Sequence, residues 1–332
     1  MFSAKAFRRT AALLFAATTL FSAAACQRIP RSTKEESSAV LAIDEFSVPY
    51  EQLRYVVRNY MDGYGDASFW TEETAARLSD TVLRDSFDIL KTQYAILSLA
   101  KQYGIERTDD AIAELVDSQM EAVIAEYGST AAYVDALAAR HMTDSVYRFF
   151  LSVNACSEEL YYAMLDAGDL EADDTVIEEI IRGEEFVRVK QILVENDEGE
   201  DPDENRALAE SLRARAAAGE DFDALVNEYG EDLYMFKNTD GYYICRGVWY
   251  HAFEDTAFSL AVGEVSDVVE TEAGYSILLR CEKEDAYIDA NLAALCEDYR
   301  DACFSLKIEE RAAALTVTTN ENFAEYTIFT ME

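Results

Sequence analysis

The apolar residues of this chain change their spacing twice, and those two changes limit the available folds more than any other feature. From Ala39 to about Arg182 they recur every third or fourth residue, as on helices that bury one face. Between Phe186 and Glu284 the order becomes strand, helix, helix, strand, helix, strand, which describes a compact α+β unit of about a hundred residues. The helical spacing then returns, with Ile288, Leu292, Leu295, Tyr299, Cys303 and Leu306 on one face. So wide a stripe must be covered. The first helical segment is the available partner, so the expected fold class is α+β: a mostly helical body, formed by the N- and C-terminal segments, with an inserted α+β domain.

Local signals sharpen this picture. "AVLAI" (Ala39–Ile43) reads as a short strand, followed by a polar break at Asp44-Glu45, "FSV", and a helix opened by Pro49. A long helix is expected from Thr71 to Tyr103, stopped by Gly104. Thr108 or Asp109 caps the next, whose stripe is Ile112, Leu115, Val116, Val123 and Ile124, and Ser129 and Thr143 start two more. In the tail, "ALTVTT" and "AEYTIFTM" read as strands.

The first 25 residues have the layout of a cleaved signal. Lys5, Arg8 and Arg9 precede an apolar run, Ala11 to Phe21, that is too short to span a membrane, and "SAAAC" follows. Cys26 after Ala24 and Ala25 resembles the lipobox of bacterial lipoproteins, while Ala23-Ala24-Ala25 also fits an ordinary A-x-A cleavage site. The expectation is an extracytoplasmic protein, lipid-anchored to the cell membrane through Cys26, with residues 26–38 as a flexible linker.

Charge and residue usage exclude several functions. A formal charge of −37 leaves no basic surface for nucleic acid. It favours cationic or neutral partners, with binding that weakens as salt rises. The five cysteines after Cys26 are odd in number and lack a C-x-x-C, so free buried thiols are expected, not a disulfide framework or a zinc site. "ENDEGEDPDE", with seven acidic residues in ten, fits no EF-hand spacing and reads as a solvated loop. Only His141 and His251 exist, and G-x-S-x-G is absent, which leaves no basis for a hydrolase triad. His251 and Asp255 alone do not make a metal site, so no metal and no cofactor is expected.

The strings "VKQILV", "AAAGEDFDALVNEYGED", "ICRG" and "AFEDTAFSLAVGEVSDVVETEAGYSILL" resemble, in order, a parvulin-type peptidyl-prolyl isomerase (rotamase) domain. The flanking "KQYGIERTDDAI" and "EYGSTAAYVDAL" are similar to the helical chaperone body of secretion foldases of the PrsA and SurA kind. The implied organisation is a signal peptide (1–25), a linker (26–38), a helical chaperone domain (39–184), a parvulin-like domain (185–285) and a C-terminal segment completing the helical body (286–332). The implied partners are unfolded exported proteins, and a homodimer is a further expectation.

The resemblance also implies a site. Phe253 matches the family's pocket phenylalanine, Trp249 its methionine, and Asp232 its Asp/Cys position, while Gly241 stands where leucine is common. Gln191 and Ser276 replace the two family histidines, and their side chains are expected to be able to share a hydrogen bond. Two functions follow. One is a membrane-anchored prolyl isomerase with weak activity, and the other a non-catalytic chaperone or client-binding module that uses the domain as a scaffold.

Overall fold

The computed structural model describes residues 29–65, 67–196, 201–236, 240–321, 323 and 326–331. The signal segment and Cys26 lie outside these residues, as do 197–200 of the acidic stretch. In chain order the elements are β1 (Ala39–Ile43), β2 (Phe46–Pro49), α1 (Tyr50–Asp62), α2 (Glu72–Gln102), α3 (Asp110–Glu126), α4 (Thr130–Ala138), α5 (Asp144–Ala167), α6 (Asp174–Arg182), β3 (Val187–Glu195), α7 (Pro202–Ala217), α8 (Phe222–Tyr229), β4 (Tyr242–Ile244), α9 (His251–Ser259), β5 (Val269–Thr271), β6 (Gly274–Cys281), α10 (Asp285–Ala314) and β7 (Val317–Thr319). The described residues divide into two compact units, one of Gly168–Leu306 and the other of residues 29–167 together with those from Lys307 onward.

In the helical unit several helix starts fall where the sequence places them, but Asp109, at the N-cap of α3, makes no side-chain cap bond and its Oδ2 accepts instead from the Glu106 N–H at 2.8 Å. Thr71 and Thr74 satisfy each other's backbone N–H at the start of α2, Ser129 Oγ accepts from Ala132 at 3.2 Å, and Thr143 Oγ1 accepts from Val146 at 3.1 Å. β1 pairs with β2 through the Asp44-Glu45 turn and with β7 on its other edge, giving the order β2-β1-β7. The stripe of α3 is narrower than expected. Ile112, Val116 and Met120 are buried while Leu115 is 42% exposed, because α3 packs mainly on one neighbour, α5.

The two ends of this unit also differ from expectation. Of the segment read as a flexible linker, residues 29–38 are described, and Ser32 donates to Glu51 at 2.5 Å while Glu36 pairs with Arg54 at 3.3 Å, which ties that stretch to α1. The described part of "AEYTIFTM", 326–331, forms turns and not a strand. Thr327 and Thr330 capture each other's backbone N–H through their hydroxyls, a local alternative to a sheet ladder.

The other unit is built on a four-stranded antiparallel sheet, β4-β3-β6-β5. β3 and β6 pair over their whole overlap, from Arg188↔Cys281 to Glu195↔Gly274. The final expected strand is therefore a hairpin, with β5 added as an edge at Val269↔Ser276. α7 covers one face, where Arg206 lies over the Tyr275 ring. The acidic stretch ends sooner than expected, since Asp201 caps α7 and Pro202 opens it. A second core joins α6 to the first part of α10 through Ile177, Ile181, Phe186, Ile288 and Leu295. Each fully buried side chain of this size stabilises by roughly 1.5–3 kcal/mol. Cys156, Cys245 and Cys296 are buried free thiols, whereas Cys281 and Cys303 are half-buried.

Candidate functional site

Side chains alternate across a strand, and residues directly opposite one another share a face. The registers therefore put Val189, Gln191 and Leu193 of β3, Ser276 and Leu278 of β6, and Tyr242 of β4 on one face of the sheet, away from α7. Gln191 and Ser276 are 5% and 2% exposed. They sit diagonally, since Gln191 faces Leu278 and Ser276 faces Leu193. The expected hydrogen bond between them is not formed. The Gln191 amide donates instead to Asp232 Oδ2 at 3.2 Å, because a carboxylate is the stronger acceptor.

Asp232 collects donors from three elements. Tyr242 Oη donates to Oδ2 at 2.5 Å, and the Tyr234 N–H donates to Oδ1 at 2.9 Å. Its loop is fastened to the end of β3, where the Glu231 N–H donates to the Leu193 carbonyl at 2.9 Å and the Glu195 N–H donates to Glu231 Oε2 at 2.6 Å. Burial, and next the hydrogen bond to Asp232, push the Tyr242 phenol well above its ordinary pKa, so it remains a neutral donor at physiological pH.

Above this polar floor runs a row of aromatic rings. Tyr234 stacks on Tyr242 at 4.7 Å, Tyr242 meets Trp249 edge-on at 4.5 Å, and Trp249 stacks on Phe253 at 4.8 Å and 15°. Phe253, from α9, is 2% exposed, while Trp249 is half-buried. Gly241 supplies no wall. Its φ is +81° and a Cβ there would lie 2.5 Å from the Val189 carbonyl oxygen, so the position requires glycine. The adjacent Tyr242 builds that side instead. Sequence reasoning missed Tyr242, and its only signal was an aromatic residue beside a glycine that breaks the expected pocket pattern.

A second missed residue is Glu254, which reads in sequence as an ordinary acid in the first turn of a helix. It is 2% exposed, and its Oε1 accepts from the backbone N–H groups of Gly247, Val248 and Trp249 at 2.8, 2.9 and 2.8 Å. The loop beside Asp232 is apolar and open to solvent, with Leu233 72%, Tyr234 43% and Phe236 42% exposed.

The histidines lie elsewhere. His251 is the exposed first residue of α9. His141 lies in the turn between α4 and α5 with φ of +54°, and burial lowers its pKa. The site thus sets a row of aromatic rings beside neutral donors and one carboxylate. Gln191 and Ser276 do not exchange protons near neutrality, so its chemistry is binding and hydrogen bonding. Among the described residues no group of three His, Cys, Asp or Glu side chains stands where it could hold a metal ion.

Residues 188–282 match the family model of the rotamase, or PPIC-type PPIASE, domain. The foldase protein PrsA of Bacillus subtilis is 35% identical over 86 residues, which cover 26% of this chain and 30% of that protein. The match therefore spans less than a third of that relative's length. PrsA of a Geobacillus species is 24% identical over 252 residues, covering 75% of this chain and 79% of that protein. The crystal structure of the foldase protein PrsA from Streptococcus pneumoniae covers 88% of this chain and 98% of its own, at 18% identity and a TM-score of 0.35.

Proposed function

We propose that this chain, whose residues 188–282 carry a parvulin-type domain, is an extracytoplasmic foldase held at the membrane through Cys26. Its clients are unfolded exported proteins. The aromatic row takes the proline ring of an X-Pro segment, and the domain catalyses cis–trans exchange weakly. Exchange about an X-Pro bond faces a barrier of about 18–20 kcal/mol and takes tens to hundreds of seconds unaided. No covalent step is needed, only a pocket that binds the twisted imide better than either planar form.

The observation that carries this reading is the stack of Tyr242, Trp249 and Phe253 above the Asp232–Gln191 pair. The Tyr242 hydroxyl and the Gln191 amide both donate to Asp232, so the floor can adjust its hydrogen bonds without moving a proton. A second reading has a specific observation behind it. Both positions where the resemblance implies histidine hold buried, non-titrating side chains, which favours a client-binding module without catalysis. The lipid anchor is supported by the charged, apolar and small-residue order that ends at Cys26.

A proline-limited refolding assay on the mature chain decides between the two. Acceleration of the slow phase by the chain supports the isomerase. No acceleration, with retained binding of a proline peptide and suppressed aggregation of an unfolded client, leaves the binding module. Failure of all three readouts sinks both. Client binding is also expected to weaken as salt rises, because the chain is strongly acidic.

A further inference from the structure

We infer that Glu254 is a positioning residue for the proline pocket: it fixes the 247–249 turn and, through that turn, the Trp249 ring against Phe253. The inference rests on the reading of the aromatic row as an X-Pro site. One oxygen of a carboxylate that is 2% exposed takes three successive backbone N–H groups at 2.8, 2.9 and 2.8 Å. Consecutive N–H groups converging on an anion form a nest, and a buried carboxylate without such partners is costly. The nearby Arg246 pairs with Asp255 at 2.7 Å, so the backbone amides are what Glu254 holds.

The other side of the turn is closed by α10. Gly247 has φ of +97°, and a Cβ there would lie 2.6 Å from Leu306 Cγ and 2.9 Å from the Ala302 carbonyl oxygen. The turn is thus gripped from two sides, and Trp249 is its last gripped residue. Phe253 neighbours Glu254 on α9, so one helix references both stacked rings. A hydrogen bond to a charged group contributes more than a single ring stack. Three such bonds outweigh the stack in fixing the indole. Ala302 and Leu306 lie beyond residue 282, where the family match ends, so the wall depends on chain outside the matched stretch.

The test uses the mature chain with Trp70→Phe, leaving Trp249 as the sole indole, and compares Glu254→Ala with Glu254→Gln. Thermal unfolding checks the fold, acrylamide quenching reads the indole, and NMR titration with a short Ala-Ala-Pro-Phe peptide reads the pocket. For Glu254→Ala we expect a cooperative transition, greater quenching, and peptide affinity lower by on the order of tenfold. Glu254→Gln keeps an acceptor oxygen and should recover about half of that, with a loss of about threefold. A folded Glu254→Ala chain with unchanged quenching and affinity overturns the inference. If Glu254→Ala does not fold, Glu254→Gln is read alone: quenching between that of the parent and that of free indole, with peptide affinity lower by about threefold, supports the inference, and parental values of both overturn it. If the parent itself binds no peptide, the X-Pro reading fails, while quenching still judges the role of Glu254 in the turn.

Discussion

The aromatic wall and the polar floor of the proposed proline site are held to different standards in this molecule. The wall is over-determined: Phe253 is buried, Trp249 stacks on it, Tyr242 meets the indole edge-on, and Glu254 fixes the turn that carries Trp249. The floor is sparer, because Gln191 makes one 3.2 Å bond to Asp232 and Ser276 lies diagonally across a strand pair. A site arranged in this way keeps the shape proposed to recognise proline more firmly than the polar groups proposed to act on it. Recognition and catalysis should therefore respond differently to substitution.

The largest expected effect is at the wall. Phe253→Ala should cost about 3–5 kcal/mol in chemical denaturation and abolish proline-peptide binding; retained binding would break the distinction. Tyr242→Phe removes the bond to Asp232 but keeps the ring, so about 1.5–3 kcal/mol of stability should go while peptide affinity holds nearly level by titration. Equal loss of affinity in these two variants would merge wall and floor. Ser276→His puts a ring where a side chain is 2% exposed, and overpacking should lower stability by about 1–3 kcal/mol without a gain in rate.

Alkaline pH tests the floor more gently. The Tyr242 phenol binds its proton more tightly folded than unfolded, so its contribution is complete below the ordinary phenol value of about 10 and is lost as pH rises beyond it. The Cys156 thiol, pushed up to about 11 by burial, acts in the same direction above its ordinary range. Tyr242→Phe should flatten part of that alkaline decline in a pH series of unfolding curves. The smallest expected effect belongs to Gln191→His. An imidazole beside Asp232 should have a raised pKa, giving a stabilisation of under about 1 kcal/mol that is present below pH 6.5 and fades as pH rises through the folded value. A rise in refolding catalysis from that variant alone would show that the floor limits the parent.

Much of the fold was legible because local signals and packing agree. Thr71, Ser129 and Thr143 cap helices in sequence and in structure, and the strand that carries Ser276 pairs as its pattern implies. Failures came where burial or a non-local partner decides. Leu115 looks like part of a stripe but has no covering neighbour, and Thr327 and Thr330 divert a strand-like string into turns. At the site, Trp249, Phe253 and Asp232 could be placed from the resemblance. Tyr242 could not, because its role depends on Gly241 sitting against the Val189 carbonyl. Glu254 could not either, since nothing in an acidic first-turn residue announces three amides folded back onto it.

β1 is completed by β7, and Asp44 binds the Thr316 N–H at 2.9 Å and Arg311 at 3.1 Å. These pairings join the two ends of the chain, whereas the β3–β6 sheet closes within a single central stretch. A chain threaded out of a membrane from its N-terminus would finish that sheet while β1 still waits for its last neighbour, because distant contacts carry the greater closure entropy. Exported as proposed, such a protein would pass through a stage with an open strand edge, and for that interval it would be the kind of client it is proposed to serve.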